Sequence, residues 1–301
     1  MTLDRARTTS LQRSYRYLRI AIASTVVVIL VAIAVTIPLV GVLPSISHYY
    51  YTPARSLFVG ALIAASVCFF ALSGRGAERA LLDVAALLAP LIAIVPTVIS
   101  PGSIAGIEAS CYGACVPAGY AADVDVGIQT YLIIGFMILI LTAVLILTGE
   151  VERAGGTLSL AIGVAVLVVV GLGWWLWRAA FLQWAHYVVA ICFFGIIAAV
   201  AVINGFFPTR SRKPTRWLTI AYGTIAIALA LDVVALPVFG SLRFGHVYGV
   251  FIGEVLALVL FLAFWVLQSI QFWDAVDPEA LGIAKPRPRV SPTSPREVHR
   301  G

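Results

Sequence analysis

Eight apolar runs, each long enough to cross a lipid bilayer, constrain the fold of this chain more than any other feature of its sequence. A bilayer core of about 30 Å needs roughly 20 residues of α-helix, because the helix rises about 1.5 Å per residue. The runs lie at residues 18–43, 56–73, 80–99, 128–147, 157–176, 185–204, 217–237 and 247–269. We therefore predict an all-α integral membrane protein, a bundle of about eight transmembrane helices.

The composition supports lipid as the main solvent of this fold. Only 11% of the residues are charged, whereas 61% are hydrophobic. A soluble domain carries about 25% charged residues, which help to cover its water-facing surface. A water-soluble globular fold is therefore excluded.

The basic residues predict the orientation. All but three of the 20 Lys and Arg residues lie in the tails and connections of one side, which is also the side of both termini. Basic connections stay in the cytoplasm when helices insert. We therefore predict that both termini are cytoplasmic, in the plasma membrane of a bacterium. The net charge of +6 follows this topology, and no nucleic-acid partner is predicted from it.

This orientation divides the chain into three parts. Residues 1–17 are predicted to be a basic cytoplasmic segment, residues 18–272 the transmembrane domain, and residues 273–301 a basic, Pro-rich cytoplasmic tail. The tail has too few large apolar residues to offset the entropy of ordering, so we predict that it is disordered.

Polar residues that could bind a ligand or take part in a reaction concentrate on the opposite side, which is predicted to be extracytoplasmic. Asp232 and Glu254 interrupt apolar runs there. A charge at the bilayer centre costs about 2.5–3.5 kcal/mol, so we expect both acids to face the bundle interior with outer arginines or histidines as partners. The alternative is that these acids only fasten the last two helices to the bundle. The predicted ligand-binding residues are His48, Tyr49, Tyr50, Arg55, Arg178, His186, Asp232, Arg243, His246 and Glu254.

A polar outer loop is predicted at residues 100–127, with Glu108, Asp123 and Asp125 but no Lys or Arg. It contains the sequence CYGAC, in which Cys111 and Cys115 are close enough to form a disulfide. The extracytoplasmic side of a bacterium can be oxidising. Structural zinc takes four ligands, so a disulfide is favoured over a metal site here.

Small residues recur at every fourth position in two of the predicted helices. They are Gly245, Gly249 and Gly253 in the last helix, and Ser56, Gly60 and Ala64 in the second. Such stripes allow helix backbones to approach closely. They predict tight packing within the bundle, and a homo-oligomer could form through the same faces.

The first outer loop carries a resemblance to known proteins. Residues 43–65 read LPSISHYYYTPARSLFVGALIAA, the last helix carries Glu254, and residues 186–194 read HYVVAICFF. These features resemble a group of bacterial polytopic membrane proteins with an Ile-Ser-x-Tyr-Tyr first loop. More remotely, the loop is similar to that of the DRAM/Sfk-type family, which has fewer helices and often an acidic residue where this chain has His48.

That resemblance implies a role close to membrane lipids. The residues to which the motif points are Ser45, Ser47, His48, Tyr49, Tyr50 and Arg55. Membrane lipids are therefore the expected partners, with a lipid or small amphiphile held at the outer polar site.

Two other functions remain open from the sequence. An intramembrane metal-dependent hydrolase would use His48, His186 and His246, with Asp232 or Glu254 as a further ligand or a base for the bound water. A proton-coupled transporter would use Asp232 or Glu254 as the proton carrier. The chain has no phosphate loop, nucleotide fingerprint, HExxH pair or nucleophile elbow, so neither a nucleotide nor another cofactor is predicted.

Overall fold

The protein is built almost entirely of α-helices. The computed structural model describes residues 10–72, 77–149, 153–207, 214–239, 242–244 and 247–273. The helices in this part are α1 Ser10–Val40, α2 Arg55–Leu72, α3 Ala77–Ile94, α4 Ala118–Leu147, α5 Arg153–Leu176, α6 Arg178–Phe206, α7 Arg216–Phe239 and α8 Gly249–Gln271. A 3₁₀ helix covers Ile46–Tyr51, and a short antiparallel hairpin pairs β1 Arg243–Phe244 with β2 Val247–Tyr248.

The helices have the length and apolar character of membrane spans. Among the described residues, seven helices are long and apolar enough to cross a membrane, and α3 contains the shorter apolar stretch Ala80–Ile94. The protein is therefore a multi-pass, all-α membrane protein. That α3 also crosses the membrane, which would give eight spans, stays a prediction.

Six helices form a closed ring. Around it, α1 packs against α2, α2 against α3, α3 against α6, α6 against α7, α7 against α8, and α8 against α1. Helices α4 and α5 pack against each other and against α3, outside this ring. The centre of the ring is aromatic, because the side chains of Phe69, Phe193 and Phe261 contact one another with ring centroids 5.8–6.1 Å apart. Fully buried Trp265 packs against Phe69 from the side of α8.

The two ends of the bundle differ. At one end, which we call the terminal end, α1 begins where α8 finishes: Arg16 Nε donates to the Trp273 carbonyl over 2.5 Å, and the Arg19 guanidinium lies 5.2 Å from the Phe272 ring. The other end, the loop end, carries the 3₁₀ helix and residues 95–117. Both ends of the described chain thus meet on one side, as the charge pattern predicts. Which side faces the cytoplasm stays a prediction, and residues 1–9 and 274–301 of the predicted terminal segments lie outside the described residues.

Several predicted boundaries differ from the structure; α6, for example, begins at Arg178 rather than at residue 185, and α3 ends at Ile94 rather than at residue 99. Helix α4 begins at Ala118 rather than at residue 128, so residues 118–127 are helical and not loop. Its 30 residues span about 45 Å, longer than a bilayer core of about 30 Å, so its polar first turns can extend into the headgroup region without desolvation. Helix α1 already begins at Ser10. Helix α8 begins only at Gly249, because the hairpin takes up the residues before it.

The two small-residue stripes have different surroundings. Gly253 of α8 is buried against α7, where an added Cβ would lie 2.6 Å from Leu236 Cδ2. Gly60 of α2 is exposed, and an added Cβ there would meet no atom within 4 Å. The first stripe therefore serves packing inside the bundle. Gly245 lies outside the described residues, and a homo-oligomer through the second stripe stays a prediction.

Candidate functional site

The 3₁₀ helix Ile46–Tyr51 organises the loop end. All six of its residues are buried. Ser45 begins it with an extended backbone and accepts a hydrogen bond on Oγ from Ser47 N over 3.0 Å, the usual role of serine at a helix start. Proline flanks the segment at Pro44 and Pro53, and a proline cannot supply the backbone N–H that continues a helix. The helix is therefore short, and its polar groups turn to neighbouring elements.

Glu254 of α8 anchors the start of this 3₁₀ helix. Ser45 Oγ lies 2.8 and 2.7 Å from the two carboxylate oxygens, and the backbone N–H of Ile46 donates to Oε2. A carboxylate at a helix start is stabilised by the free N–H groups there. Outer arginines or histidines are the predicted partners of Glu254; within the described residues its hydrogen-bond partners are instead neutral donors, namely Ser45 Oγ, Ser47 Oγ and the Ile46 N–H.

Ser47 connects the same anchor to α6. Its Oγ lies 2.7 Å from His186 Nε2, and His186 Nδ1 lies 2.6 Å from the Val95 carbonyl oxygen. A carbonyl oxygen only accepts, so Nδ1 carries the proton of the neutral ring and Nε2 accepts from the Ser47 hydroxyl. Ser47 Oγ is also 3.5 Å from Glu254 Oε1. A carboxylate so close to the hydroxyl disfavours an oxyanion on Ser47, so this cluster suits anchoring or proton exchange better than nucleophilic attack.

Three other side chains of the 3₁₀ helix donate to backbone carbonyl groups. Tyr49 OH donates to the Gly41 carbonyl at 3.1 Å, Tyr51 OH to the Thr97 carbonyl at 2.8 Å, and His48 Nε2 to the Val98 carbonyl at 3.2 Å. Burial lowers the pKa of His48 and raises the pKa of Tyr51, so both groups are held neutral. His48 Nε2 and Tyr49 OH are therefore engaged within the protein, and His48 Nδ1 has no hydrogen-bond partner among the described residues.

The bonds of His48 and Tyr51 to the Val98 and Thr97 carbonyl groups hold the loop of residues 95–117 against the 3₁₀ helix. Ile99 and Cys115 exchange two backbone hydrogen bonds of 2.9 and 3.1 Å, which close the loop on itself. A disulfide joins Cys111 to Cys115, next to this pairing. The base of the loop is thus closed by both backbone hydrogen bonds and a disulfide.

Arg55, the first residue of α2, lies at the rim of this end. Its Nη2 donates to Tyr50 OH over 2.7 Å and to Asp123 Oδ2 of α4 over 2.9 Å. The guanidinium carbon lies 4.4 Å from the Tyr50 ring centroid and 5.5 Å from that of Tyr120. Nε and Nη1 of Arg55 have no hydrogen-bond partner among the described residues, and the side chain is 35% exposed. Arg55 is thus held in place through one nitrogen and two aromatic rings.

Arg178, the first residue of α6, forms the second rim pair. Its Nε donates to Asp125 Oδ1 over 3.2 Å, and its Nη2 donates to Oδ2. Trp174 Nε1 also donates to Oδ1, over 3.0 Å. Both oxygens of this carboxylate are therefore occupied, and the guanidinium presents a two-pronged contact to a single acid. The two aspartates of α4 are the partners that sequence reasoning missed, because it placed them in a loop.

The other predicted site residues lie apart from this arrangement. Asp232 of α7 is buried against α8, where its Oδ1 would lie 3.1 Å from a Cβ on Gly253; its Oδ2 has no hydrogen-bond partner within the described ranges. Arg243 is exposed on β1, 4.6 Å from the Tyr248 ring. His246 lies outside the described residues. The structure therefore brings Glu254 and His186 together through Ser47, puts Arg55 with Tyr50 at the rim, and joins Asp232 to neither.

A metal centre finds little support in these side chains. The described part of the chain has no group of three or more His, Cys, Asp or Glu residues that could hold a metal ion. Both ring nitrogens of His186 are already hydrogen-bonded, and His48 Nε2 is bound to a carbonyl. His186 would have to give up one of these bonds to become a ligand, whereas His48 Nδ1 has no hydrogen-bond partner among the described residues.

A buried polar cluster at the terminal end was not predicted. Glu78 of α3 accepts from Gln268 Nε2 at 3.3 Å and from Asn204 Nδ2 at 3.5 Å, and Tyr222 OH donates to Gln271 Oε1 over 2.6 Å. Asn204 and Gln268 interrupt apolar runs of the sequence, which is the signal that could have revealed them. Glu78 stands beside the charged residues of a connection and gives no such signal.

The geometry defines a class: a multi-pass all-α membrane protein with a polar, tightly hydrogen-bonded loop end. No protein-family model, curated protein or solved structure matches the chain.

Proposed function

We propose that this protein binds a lipid or small amphiphile by its headgroup at the loop end, on the extracytoplasmic side of the membrane. The principal contact is Arg55. This proposal keeps the role near lipids that the resemblance of the first outer loop implies.

The observation that carries the proposal is the incomplete bonding of Arg55. The side chain is positioned by Tyr50, Tyr120 and Asp123, yet two of its three nitrogens are unused. A guanidinium that is already positioned loses little conformational entropy on binding, and its planar edge matches the oxygens of a phosphate group.

The depth of Arg55 also suits a headgroup. Leu57, two residues further along α2, is 54% exposed, and Val126 of α4, just beyond Asp123, is 65% exposed. Exposed apolar side chains on a membrane protein face the lipid chains. Arg55 therefore lies at the border where lipid tails give way to headgroups.

The test compares two arginines of the same end. In nanodiscs of defined lipid content, we expect Arg55→Gln to weaken binding of an added phospholipid about tenfold or more, the value of a hydrogen bond to a charged group. The matched variant Arg178→Gln should leave that affinity within about a factor of two, since its guanidinium serves Asp125. Equal effects of the two changes, with both proteins folded, would reject the proposal.

A proton-coupled transporter is the second candidate, and the cluster beneath the rim favours it. A protonated Glu254 can donate to Ser47 Oγ, which donates to His186 Nε2 in turn. In proteoliposomes that contain a pH-sensitive dye, wild type would then dissipate an imposed pH gradient faster than Glu254→Gln. Equal rates in the two folded proteins would eliminate this candidate.

A further inference from the structure

In the rim pair Arg55–Asp123, both the positively charged and the negatively charged side chain have atoms without a hydrogen-bond partner among the described residues. Asp123 accepts through Oδ2 only, and its Oδ1 has no hydrogen-bond partner in the part of the chain that the structure describes. Its side chain is 47% exposed, and that of Arg55 is 35% exposed. The pair therefore presents guanidinium N–H donors and a carboxylate acceptor to the same ligand.

The charged residues around the Arg55–Asp123 pair favour neither a net positive nor a net negative ligand. Apart from Glu254, which is hydrogen-bonded to the 3₁₀ helix, the charged residues that are not buried at the loop end, within the described ranges, are three basic and three acidic. They are Arg55, Arg178, Arg243, Glu108, Asp123 and Asp125. An anionic headgroup on Arg55 would also lie next to the Asp123 carboxylate, and like charges at that range repel. A headgroup without net charge fits this balance.

We propose that the ligand is a zwitterionic phospholipid headgroup that bears a phosphate and a primary ammonium, an inference that rests on the proposed function. The phosphate oxygens accept from Arg55 Nε and Nη1. The ammonium donates to Asp123 Oδ1. A trimethylated ammonium has no N–H to donate, so a primary amine is preferred over choline.

The selectivity of the wild-type protein is the first test. Nanodiscs that contain trace fluorescent phosphatidylethanolamine, phosphatidylcholine or phosphatidylglycerol in a fixed lipid background would give three apparent affinities. We expect the ethanolamine lipid to bind about tenfold or more tightly than either of the others. Equal or tighter binding of phosphatidylglycerol would overturn the inference, and no variant is needed for that result.

Two asparagine variants then separate the two aspartates. Asp123→Asn removes the negative charge that attracts the ammonium and repels an anion, and it leaves one acceptor oxygen to be shared by Arg55 and the ligand, so the ratio of ethanolamine to glycerol lipid affinity should fall about tenfold or more. Asp125→Asn changes an aspartate of the same helix that has no free oxygen, and it should leave the ratio unchanged. An unchanged ratio in folded Asp123→Asn would also overturn the inference.

The outcomes distinguish this inference from the proposed function. If Arg55→Gln binds all three lipids as wild type does, the proposed function itself fails. If Arg55→Gln weakens all three equally but wild type shows no preference for the primary amine, only the zwitterion assignment fails. Excess soluble glycerophosphoethanolamine identifies the source: displacement of the lipid supports recognition of the headgroup alone, and retention supports a membrane-bound ligand.

Discussion

Two arginines of the loop end each form an ion pair with an aspartate of α4, but the two pairs differ in how many of their nitrogens and oxygens are hydrogen-bonded. Arg178 uses two nitrogens and occupies both oxygens of Asp125, with Trp174 as an additional donor. Arg55 uses one nitrogen and occupies one oxygen of Asp123. Among the described residues, Arg178 has one nitrogen without a hydrogen-bond partner and Arg55 has two, and of the two carboxylates only that of Asp123 keeps an oxygen without one. We therefore expect the Arg178–Asp125 pair to fasten helices and the Arg55–Asp123 pair to have groups left for a ligand.

The largest expected effect comes from removing the anchor beneath Arg55. Glu254→Leu leaves Ser45 Oγ and Ile46 N–H without their acceptor, and we expect the free energy of unfolding to fall by about 2–4 kcal/mol. Because Tyr50 belongs to the anchored helix, binding that depends on Arg55 should fall as well. Thermal unfolding in detergent and lipid titration measure both effects.

Glu254→Gln is the control for this experiment. It keeps one carbonyl oxygen for the same donors, so it should lose much less stability than Glu254→Leu. If Glu254→Leu unfolds at the wild-type temperature, the Glu254 carboxylate does not anchor the 3₁₀ helix. The position of Arg55 at the rim then does not depend on Glu254.

Double-mutant cycles sharpen the comparison directly. Alanine substitutions at Arg178 and Asp125, singly and together, should give a coupling energy of about 1 kcal/mol, since the contact is two-pronged but partly exposed. The cycle at Arg55 and Asp123 should give about 0.5 kcal/mol or less. Chemical denaturation supplies the four free energies for each cycle. A larger coupling at Arg55 than at Arg178 would reverse the assignment of roles.

A smaller effect is expected from one hydroxyl group. Tyr50→Phe removes the oxygen that Arg55 Nη2 binds but keeps the ring beneath the guanidinium, so lipid affinity should fall about threefold. Tyr51→Phe is the matched control, because the Tyr51 hydroxyl binds the Thr97 carbonyl instead. It should lower stability by about 1 kcal/mol and leave lipid affinity unchanged. The reverse pattern would show that Tyr50 does not position Arg55.

The smallest expected effect is a pH dependence at His48. Burial lowers the pKa of His48 in the folded protein. As pH falls through about 6.5, the unfolded state therefore takes up a proton first, and stability declines. Thermal unfolding at about pH 7 and about pH 5 should show a smaller decline in His48→Gln than in wild type. If stability declines equally in wild type and in His48→Gln, His48 does not contribute to the pH response. The coupling energy between Arg178 and Asp125 should be the same in both proteins.

Much of the fold follows from the apolar runs, because a helix that meets lipid must be apolar over most of its length. The sequence thus predicts the membrane class and places each helix. The start of α4 could not be found this way, since a helix that projects beyond the bilayer needs no apolar side chains there. Asp123 and Asp125 look like loop residues for that reason.

The sequence predicts which residues belong to the candidate site better than it predicts the hydrogen bonds between them. His186 and Glu254 stand out because polar groups are costly within apolar runs. Their connection through Ser47 depends on a 3₁₀ helix between two prolines, and nothing in a periodic pattern reveals its path. The partners of Arg55 and Arg178 depend on α4, which lies outside the ring and packs there by contacts that leave no local signal in the sequence.

The spacing of the two aspartates has a consequence for α4 as a whole. Residues two positions apart on an α-helix point in directions about 200° apart around its axis. Asp123 and Asp125 therefore reach opposite neighbours, α2 on one side and the junction of α5 and α6 on the other. A turn of α4 about its own axis in either direction would break both contacts together. Two short polar side chains on opposite faces of α4 thus limit its rotation, in addition to its packing against α5 and α3.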